Sequence, residues 1–387
     1  MKYNKNFDRL ENEYIFTKIR SSASEYSNSS YPLIDLGVGD VKLPLFKKTV
    51  DAMKDACQEM ACEKSFRGYP PAVGYGFLRD KIAINYQNLG ADVSADEVFI
   101  TDGAKGQLGN VLELFDYNIN VLFESPCYPA GAESNLLRGN NVDFCVGNEQ
   151  NGFIPYPPTD ISYDLIYLCS PCNPTGAVMS KKDLKIWVNY ALSIGATIVF
   201  DSAYSEFVSG DFPRSIYQIE GAKNCAIEIN SFSKSLGFTG IRCGYTVIPR
   251  QLEIPQKLYK QWLGRRFNGV SYVSQRGAET FYDKEIRNAV EKRIKFYKTN
   301  VEILKIALKN LNLWYNNTVC SPYVFAKTPI GETSQEFCQK LLSNLGIVAT
   351  PGSGFLRGGE GYFRLSAFCS REDALNASDR LKHLSID

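Results

Sequence analysis

Short apolar segments recur between about residue 33 and residue 250, and most of them end in a turn of glycine, proline or polar residues. Helical patterns follow several of these turns. Because parallel strands need long crossover connections, this alternation predicts an α/β fold with a mostly parallel sheet and helices on both faces. The segments that predict strands are residues 33–36, 97–100, 120–124, 164–169, 197–200, 225–230 and 243–248.

The chain has 387 residues, which exceeds the limit of about 250 to 300 residues for one hydrophobic core, so we expect two domains. A helical pattern at 284–310 predicts a bridge into a second, smaller α+β domain. That domain has a helix at 334–345 and strands at 323–325, 347–349 and 362–366. The predicted division is an N-terminal arm at 1–35 that packs on the small domain or a partner subunit, a large domain at 36–280 and a small domain at 281–387.

The amino-acid composition argues against several classes of function. His383 is the only histidine, which argues against a serine-histidine-aspartate hydrolase and against a histidine-ligated metal site. The net charge of +1 gives no field that would attract nucleic acid or a membrane surface. The sequence shows no signal peptide, and its 11 cysteines lack disulfide spacing, so we expect a cytoplasmic protein with reduced thiols.

Residues 231–242 read Ser-Phe-Ser-Lys-Ser-Leu-Gly-Phe-Thr-Gly-Ile-Arg. A lysine such as Lys234 attacks an aldehyde only when burial or a nearby cation lowers its pKa. Ser231, Ser233 and Arg242 offer hydrogen-bond donors to a phosphate. The combination suggests pyridoxal phosphate bound to Lys234. Taken alone, the stretch is also compatible with a solvated lysine and arginine in a serine- and glycine-rich loop.

Other polar or aromatic residues follow the predicted strands at their carboxyl ends, where ligands bind in parallel sheets. Each has an ordinary interpretation as a turn, a rim aromatic or a helix cap, but their joint position favours one site. The Cys169-x-x-Cys172 pair lies in a proline-rich turn, which argues against a thioredoxin-like redox function. The residues of the expected site are the turn Gly103-Ala104-Lys105, Tyr128, Asn173, Asp201 with Tyr204, and Lys234.

An ordered set of motifs resembles the fold type I pyridoxal-phosphate-dependent aminotransferases of class I/II over nearly the whole chain. The resemblance implies a large domain with a mostly parallel sheet flanked by helices, a smaller α+β domain and a homodimer with shared active sites. The motifs are Asn173-Pro174-Thr175-Gly176, Asp201 with Tyr204, Ser231-x-Ser233-Lys234 with Arg242, and Arg364.

The resemblance also implies roles at the cofactor ring. Lys234 would hold the cofactor and then shuttle a proton at the substrate. Asp201 would pair with the pyridine nitrogen, Asn173 and Tyr204 would hydrogen-bond the phenolic oxygen, and Tyr128 would stack on the ring.

The phosphate and substrate contacts follow from the same resemblance. Arg364 would bind the substrate α-carboxylate with its fork of donors. The phosphate contacts would be Gly103, Ala104, Lys105, Ser231, Ser233, Arg242 and Tyr69 of the partner subunit. The substrate contacts would be Tyr14, Gly39, Lys105, Tyr128, Asn173, Asn268 and Arg364.

Within that family, Phe66-Arg67-Gly68-Tyr69 and Gly359-Glu360-Gly361-Tyr362-Phe363-Arg364-Leu365 resemble the LL-diaminopimelate aminotransferases. This resemblance implies an LL-2,6-diaminopimelate and 2-oxoglutarate pair in the synthesis of lysine and peptidoglycan precursors. Two positions depart from that pattern, because Ala72 and Gln107 stand where acidic residues are expected. A different amino acid substrate, a pyridoxal-phosphate-dependent β-lyase and a non-catalytic ligand-binding relative are the alternatives.

Overall fold

The computed structural model describes residues 1–11, 13–27, 31–159, 161–317 and 320–384. The α-helices in this part of the chain are α1 (Ile15–Glu25), α2 (Lys47–Met60), α3 (Gly76–Asn88), α4 (Ala104–Asn110), α5 (Ala130–Arg138), α6 (Lys181–Ile194), α7 (Phe232–Ser235), α8 (Glu253–Arg266), α9 (Tyr272–Glu279), α10 (Lys284–Asn310), α11 (Ser334–Leu345) and α12 (Arg371–Leu381). The strands are β1 (Ile34–Asp35), β2 (Val98–Thr101), β3 (Asn120–Ser125), β4 (Asn141–Val146), β5 (Leu165–Cys169), β6 (Thr197–Asp201), β7 (Ala226–Ser231), β8 (Gly244–Val247), β9 (Tyr323–Lys327), β10 (Ile347–Val348), β11 (Thr350–Pro351) and β12 (Tyr362–Ser366).

The largest sheet has seven strands in the order β2-β8-β7-β6-β5-β3-β4. Strand β8 is antiparallel to both neighbours, and the other adjacent pairs are parallel. The connection from β7 to β8 contains only the one-turn helix α7 rather than a long crossover helix, so the chain returns in the opposite direction. The prediction of a mostly parallel sheet is confirmed.

Both faces of this sheet are buried, as parallel sheets require. Successive residues of β6 show this. Ile198 and Phe200 pack with Trp187 of α6 on one face, whereas Val199 packs with Phe123 on the other. Each of these side chains contributes about 1.5 to 3 kcal/mol when it leaves water. The alternation fixes the register of β6 and thereby the position of Asp201 at its carboxyl end.

A second group of elements surrounds a separate core. Strands β11, β12 and β9 form an antiparallel sheet, and β1 pairs in parallel with β10. Helices α10, α11 and α12 cover this group through side chains such as Leu304, Phe337 and Ala374. None of the helices in the described residues is long and apolar enough to cross a membrane.

The N-terminal segment contacts both groups of elements. Asn4 and Asn6 donate hydrogen bonds of 3.0 and 3.1 Å to the carbonyl of Leu137 near the end of α5. Farther along, Ile19 of α1 packs with Leu342 and Val348. The chain between these contacts therefore crosses the gap between the two groups.

Three features differ from the predictions. The strand expected at 33–36 pairs with β10 and is not part of the main sheet, so its inclusion in the alternating pattern is wrong. Helix α5 and strand β4 were not predicted, because α5 is rich in small residues and β4 is a partly exposed edge strand. Helix α12 was also missed, although Ser370 and Asp373 form a capping box at its start.

Candidate active site

A cavity of about 550 Å³ lies at the carboxyl ends of β5, β6 and β7, where these strands meet the second group of elements. Most of the residues predicted for the site line this cavity together. They are Tyr14, Gly39, Ala104, Lys105, Tyr128, Asn173, Asp201, Tyr204, Ser231, Ser233, Lys234, Arg242 and Arg364.

Lys234 lies on α7, directly after β7, and its side chain is half-buried. Its Nζ donates a hydrogen bond to the carbonyl of Gly39. Burial lowers the pKa of Lys234 to about 8; the charges of Arg364 and Arg242 lower it further, whereas Asp40 and Asp201 oppose the shift. With a pKa of about 8, roughly a tenth of the amine is the free base at pH 7, which gives a nucleophilic lysine its reactive form.

Asp201 ends β6 and is half-buried at the base of the cavity. Its Oδ1 accepts a hydrogen bond of 3.0 Å from the backbone N–H of Ala203. Burial raises the pKa of Asp201 to about 6, while this hydrogen bond and the charge of Lys234 lower it. A cationic N–H group placed against this carboxylate would favour its ionised form.

Hydroxyl and guanidinium groups meet beside the start of α7. The Ser231 and Ser233 hydroxyls are 2.8 Å apart, and Nη1 of Arg242 donates to Ser233 Oγ at 3.3 Å. A Cβ atom on Gly103 would lie 2.5 Å from Nη2 of Arg242, so a larger residue at 103 would displace the guanidinium. These groups form a cluster of hydrogen-bond donors, one of them cationic, that could bind an anion.

Arg364 of β12 is 1% exposed, yet no carboxylate of the described residues forms an ion pair with it. Nη1 donates to Asn173 Oδ1 at 2.6 Å, Nη2 donates to the Gly37 carbonyl at 2.5 Å, and Nε is buried without a partner. Burial lowers the pKa of Arg364. A buried cation in this state is a strong site for an added carboxylate.

Tyrosine hydroxyls complete the walls in two pairs. The hydroxyls of Tyr204 and Tyr323 are 2.6 Å apart, and Tyr14 donates to Tyr128 at 3.0 Å. A Cβ atom on Gly39 would lie 2.2 Å from the Tyr323 hydroxyl. Glycine at 39 is therefore needed for Tyr323 to reach its partner.

Residues 31–381 match the family model described as aminotransferase class I and II. The chain belongs to this family. It is 40% identical over 401 residues to an LL-diaminopimelate aminotransferase of Agathobacter rectalis, a match that covers 98% of this chain and 99% of the relative. It is 41% identical over 405 residues to the enzyme of the same name from Prochlorococcus marinus, with 98% and 99% coverage.

A solved structure gives the same result for the fold. L,L-diaminopimelate aminotransferase from Chlamydomonas reinhardtii superposes with a TM-score of 0.93 at 33% identity, covering 99% of this chain and 98% of that one. Aspartate aminotransferase from Thermus thermophilus gives a TM-score of 0.87 at 21% identity, with 99% of both chains covered, and shows the fold alone. The predicted fold type I architecture is confirmed.

This aminotransferase uses pyridoxal 5′-phosphate, the cofactor of its family. The residues present fit that group. Ser231, Ser233 and Arg242 supply donors for a phosphate, Gly103 leaves the room that the guanidinium occupies, and Asp201 offers a carboxylate. Lys234 offers an amine with a lowered pKa in the same cavity.

Three predicted site residues do not line the cavity. Gly103 packs against the Arg242 guanidinium, and the other two are Tyr69 and Asn268. Tyr69 is 87% exposed, and Asn268 is also exposed. Their loops are adjacent, because a Cβ atom on Gly269 would lie 2.7 Å from the carbonyl of Pro71. Both residues therefore lie together on the surface of this chain.

The two departures from the family pattern also lie outside the cavity lining. Gln107 is buried and accepts a hydrogen bond of 2.6 Å from Tyr259, so it belongs to the core. Ala72 packs with the core cluster of Phe99, in the same loop as Tyr69. Neither position changes the charge of the cavity wall within this chain.

Sequence reasoning did not assign several residues that line the cavity. Asp40 follows Gly39, a predicted substrate contact, so its position beside Gly39 was the available signal. Tyr323 begins β9, far along the chain, and no sequence signal indicated that it would line the cavity. Phe16 and Arg20 of α1 are part of the predicted arm, whose placement over the cavity depends on tertiary packing.

Proposed function

We propose that this aminotransferase moves an amino group between LL-2,6-diaminopimelate and 2-oxoglutarate. The observation that carries an α-amino acid substrate is Arg364, a buried guanidinium without a carboxylate partner in the described chain, in the same cavity as Lys234. The particular substrate pair is supported by the names of the relatives that are 40% and 41% identical over nearly their full lengths.

In this proposal Arg364 binds the α-carboxylate and thereby places the substrate Cα beside Lys234. Pyridoxal phosphate supplies the electron sink for negative charge at that carbon. Lys234 would hold the cofactor at rest, and its free amine would then take a proton from the substrate Cα and later give one back, as general base and acid. Its lowered pKa keeps this amine available near neutral pH.

The remaining residues bind and orient the ring. Asp201 keeps the pyridine nitrogen protonated through a direct ion pair, which the buried setting strengthens. Asn173 uses its oxygen for Arg364, so its amide N–H₂ is free to donate to the phenolic oxygen. Tyr204 donates to the same oxygen and is held by Tyr323. Tyr128 stacks on the ring.

We infer that the active unit is a homodimer. Tyr69 and Asn268 are exposed side by side and lie away from this chain's own cavity. In the proposed dimer, Tyr69 of the partner subunit contacts the phosphate, together with Gly103, Ala104, Lys105, Ser231, Ser233 and Arg242 of this chain. Asn268 of the partner subunit contacts the substrate, with Tyr14, Gly39 and Lys105 of this chain.

Two broader predictions belong to the same proposal. The division into an arm at 1–35, a large domain at 36–280 and a small domain at 281–387 stays a prediction. A cytoplasmic location in lysine and peptidoglycan precursor synthesis agrees with all 11 cysteines being free, because reducing compartments keep thiols reduced.

The test is a panel of amino acids mixed with the purified holoenzyme while the visible spectrum of the cofactor is followed. Diaminopimelate is expected to convert the spectrum to that of the aminated cofactor, and 2-oxoglutarate is expected to reverse it. Conversion by another amino acid and not by diaminopimelate contradicts the substrate. Release of pyruvate and ammonia without a keto-acid acceptor indicates a β-lyase instead.

A further inference from the structure

Helix α1 separates two cavities. Residues three or four positions apart share one face of a helix, and the side chains of α1 divide in that way. Phe16, Thr17 and Arg20 line the active-site cavity. Ile15, Lys18, Ile19 and Ser22 line a second cavity of about 440 Å³. Arg20 and Lys18 are thus two exposed cations on one helix, and only Arg20 faces the active site.

Arg20 has a cationic neighbour. Lys105, on the opposite wall, lies with its Nζ 4.2 Å from the centre of the Tyr14 ring. Burial lowers the pKa of Lys105, the charge of Arg20 lowers it further, and Glu133 opposes the shift. Among the residues that the structure describes, neither Arg20 nor Lys105 has a carboxylate within 4.0 Å. Two unpaired positive groups therefore face the same space.

Two aromatic rings, those of Tyr14 and Phe16, have centres 5.5 Å apart and connect this space to the site of the α-carboxylate. The Phe16 ring is 5.5 Å from the Arg364 guanidinium, whereas the Tyr14 ring contacts Lys105. Arg20 follows Phe16 by one helical turn and points from the same face. A substrate whose α-carboxylate is on Arg364 would extend its side chain along this wall.

We propose that Arg20 is a specificity residue that, with Lys105, binds a carboxylate at the distal end of the substrate. The inference rests on the proposed function and deepens it, because diaminopimelate and 2-oxoglutarate are both dicarboxylic acids. They differ in the number of carbon atoms between the carboxylates. A long arginine side chain at an exposed position can reach both.

The experiment compares R20Q, R20K and the matched control K18Q with the unchanged holoenzyme at low ionic strength. The probe is glutarate, a dicarboxylate without an amino or keto group, and its Kd is measured by titration calorimetry. The KM and kcat for 2-oxoglutarate are measured on the same proteins. Butyrate, which lacks the second carboxylate, serves as the comparison ligand.

For R20Q we expect Kd for glutarate and KM for 2-oxoglutarate to rise about tenfold, because one charge-assisted contact is lost. The value of kcat stays within about twofold, since the reacting atoms are untouched. R20K retains most of the affinity, K18Q matches the unchanged enzyme, and the Kd for butyrate is the same in all four proteins.

Equal glutarate binding by R20Q and the unchanged enzyme would overturn the proposal. Equal losses in R20Q and K18Q would also overturn it, because they would reflect net charge alone. Failure of the proposed function looks different: the unchanged enzyme then does not convert diaminopimelate, while glutarate binding still depends on Arg20. In that case the substrate is another dicarboxylic amino acid.

Discussion

Two guanidinium groups face the same cavity in different surroundings. Arg364 is buried among Asn173, Gly37 and aromatic rings, and its position is fixed by hydrogen bonds. Arg20 is exposed on α1, and water screens its charge. The comparison shows that the same positive charge interacts more strongly with a carboxylate in buried surroundings than in exposed ones. In our proposals the buried group binds the α-carboxylate of every substrate, whereas the exposed group adjusts the preference among substrates.

The largest effect is expected at the buried end. R364Q removes the only fork of donors for the α-carboxylate in our proposal and should lower kcat/KM by about 10²- to 10³-fold, because a buried charge pair is worth about 2 to 5 kcal/mol. R364K keeps the charge but loses the bidentate geometry, so it should recover only part of the activity. Steady-state kinetics with dicarboxylic and monocarboxylic amino acids measures both variants.

The same kinetic measurements can contradict the roles proposed for Arg364 and Arg20. If R364Q impairs dicarboxylic substrates and spares monocarboxylic ones, the two ends of the cavity have been assigned in the wrong order. Thermal unfolding is the control for folding, since the variant leaves Asn173 without its donor.

A second prediction concerns pH and the buried amine. The pKa of Lys234 is lowered to about 8, so its free base increases about tenfold between pH 7 and pH 9. Cofactor capture by the apoenzyme should accelerate by about that factor. Stopped-flow absorbance after mixing with pyridoxal phosphate measures the rate.

The same pKa shift of Lys234 also predicts how the stability of the apoenzyme changes with pH. The unfolded lysine has a pKa near 10.5, so between about pH 8 and pH 10.5 the unfolded chain binds more protons. The contribution of Lys234 to apoenzyme stability therefore rises with pH through this window. A rise of about a hundredfold from pH 7 to pH 9 would show that burial does not lower the pKa, because an amine with a pKa near 10.5 gains free base by about that factor over this interval.

A third prediction tests the packing behind the buried end. G39A would place a Cβ atom 2.2 Å from the Tyr323 hydroxyl and displace the partner of Tyr204. We expect about a tenfold loss of kcat/KM, in line with the cost of about 1 to 3 kcal/mol for overpacking. Adding Y323F to G39A removes the clashing oxygen and should restore part of the loss. No recovery in the double variant would assign the defect to the Gly39 backbone instead.

The smallest effect is expected on the side of the cavity that contains Tyr14, Lys105 and the exposed Arg20. Y14F removes the hydrogen bond of 3.0 Å to Tyr128 but keeps the ring beneath Lys105. A neutral hydrogen bond contributes about 0.5 to 1.5 kcal/mol, so kcat/KM should fall by about two- to tenfold. Isothermal titration with glutarate should show little change. If Y14F lowered kcat/KM as much as R364Q, the expected difference between the Arg364 side and the Arg20 side of the cavity would be absent.

Local signals account for the elements that were predicted with correct bounds. Helix α11 begins after a capping box of Thr333 and Glu336 and ends at Gly346 in a left-handed conformation. Helix α10 and strand β12 were likewise predicted at their observed residues. Strand β1 was assigned to the wrong sheet, because two residues carry no information about which edge they will pair with.

Local sequence signals likewise account for only part of the site. Lys234, Asp201, Asn173 and Arg242 were predicted because each follows a strong strand pattern or a polar turn, and all four line the cavity. Tyr323 and Arg20 were missed, since each lies on an element whose neighbours are far away in sequence. Gln107 was named as a departure from the family pattern, and the structure places it in the core against Tyr259.

The sequence by itself determined the order of strands and helices and the chemistry available at the strand ends, because both depend on local patterns of apolar, glycine and polar residues. Only the tertiary structure decided which charges share one cavity and how strongly each acts. Burial of Arg364, exposure of Arg20 and the lowered pKa of Lys234 depend on water excluded by distant segments, and no local pattern records that exclusion.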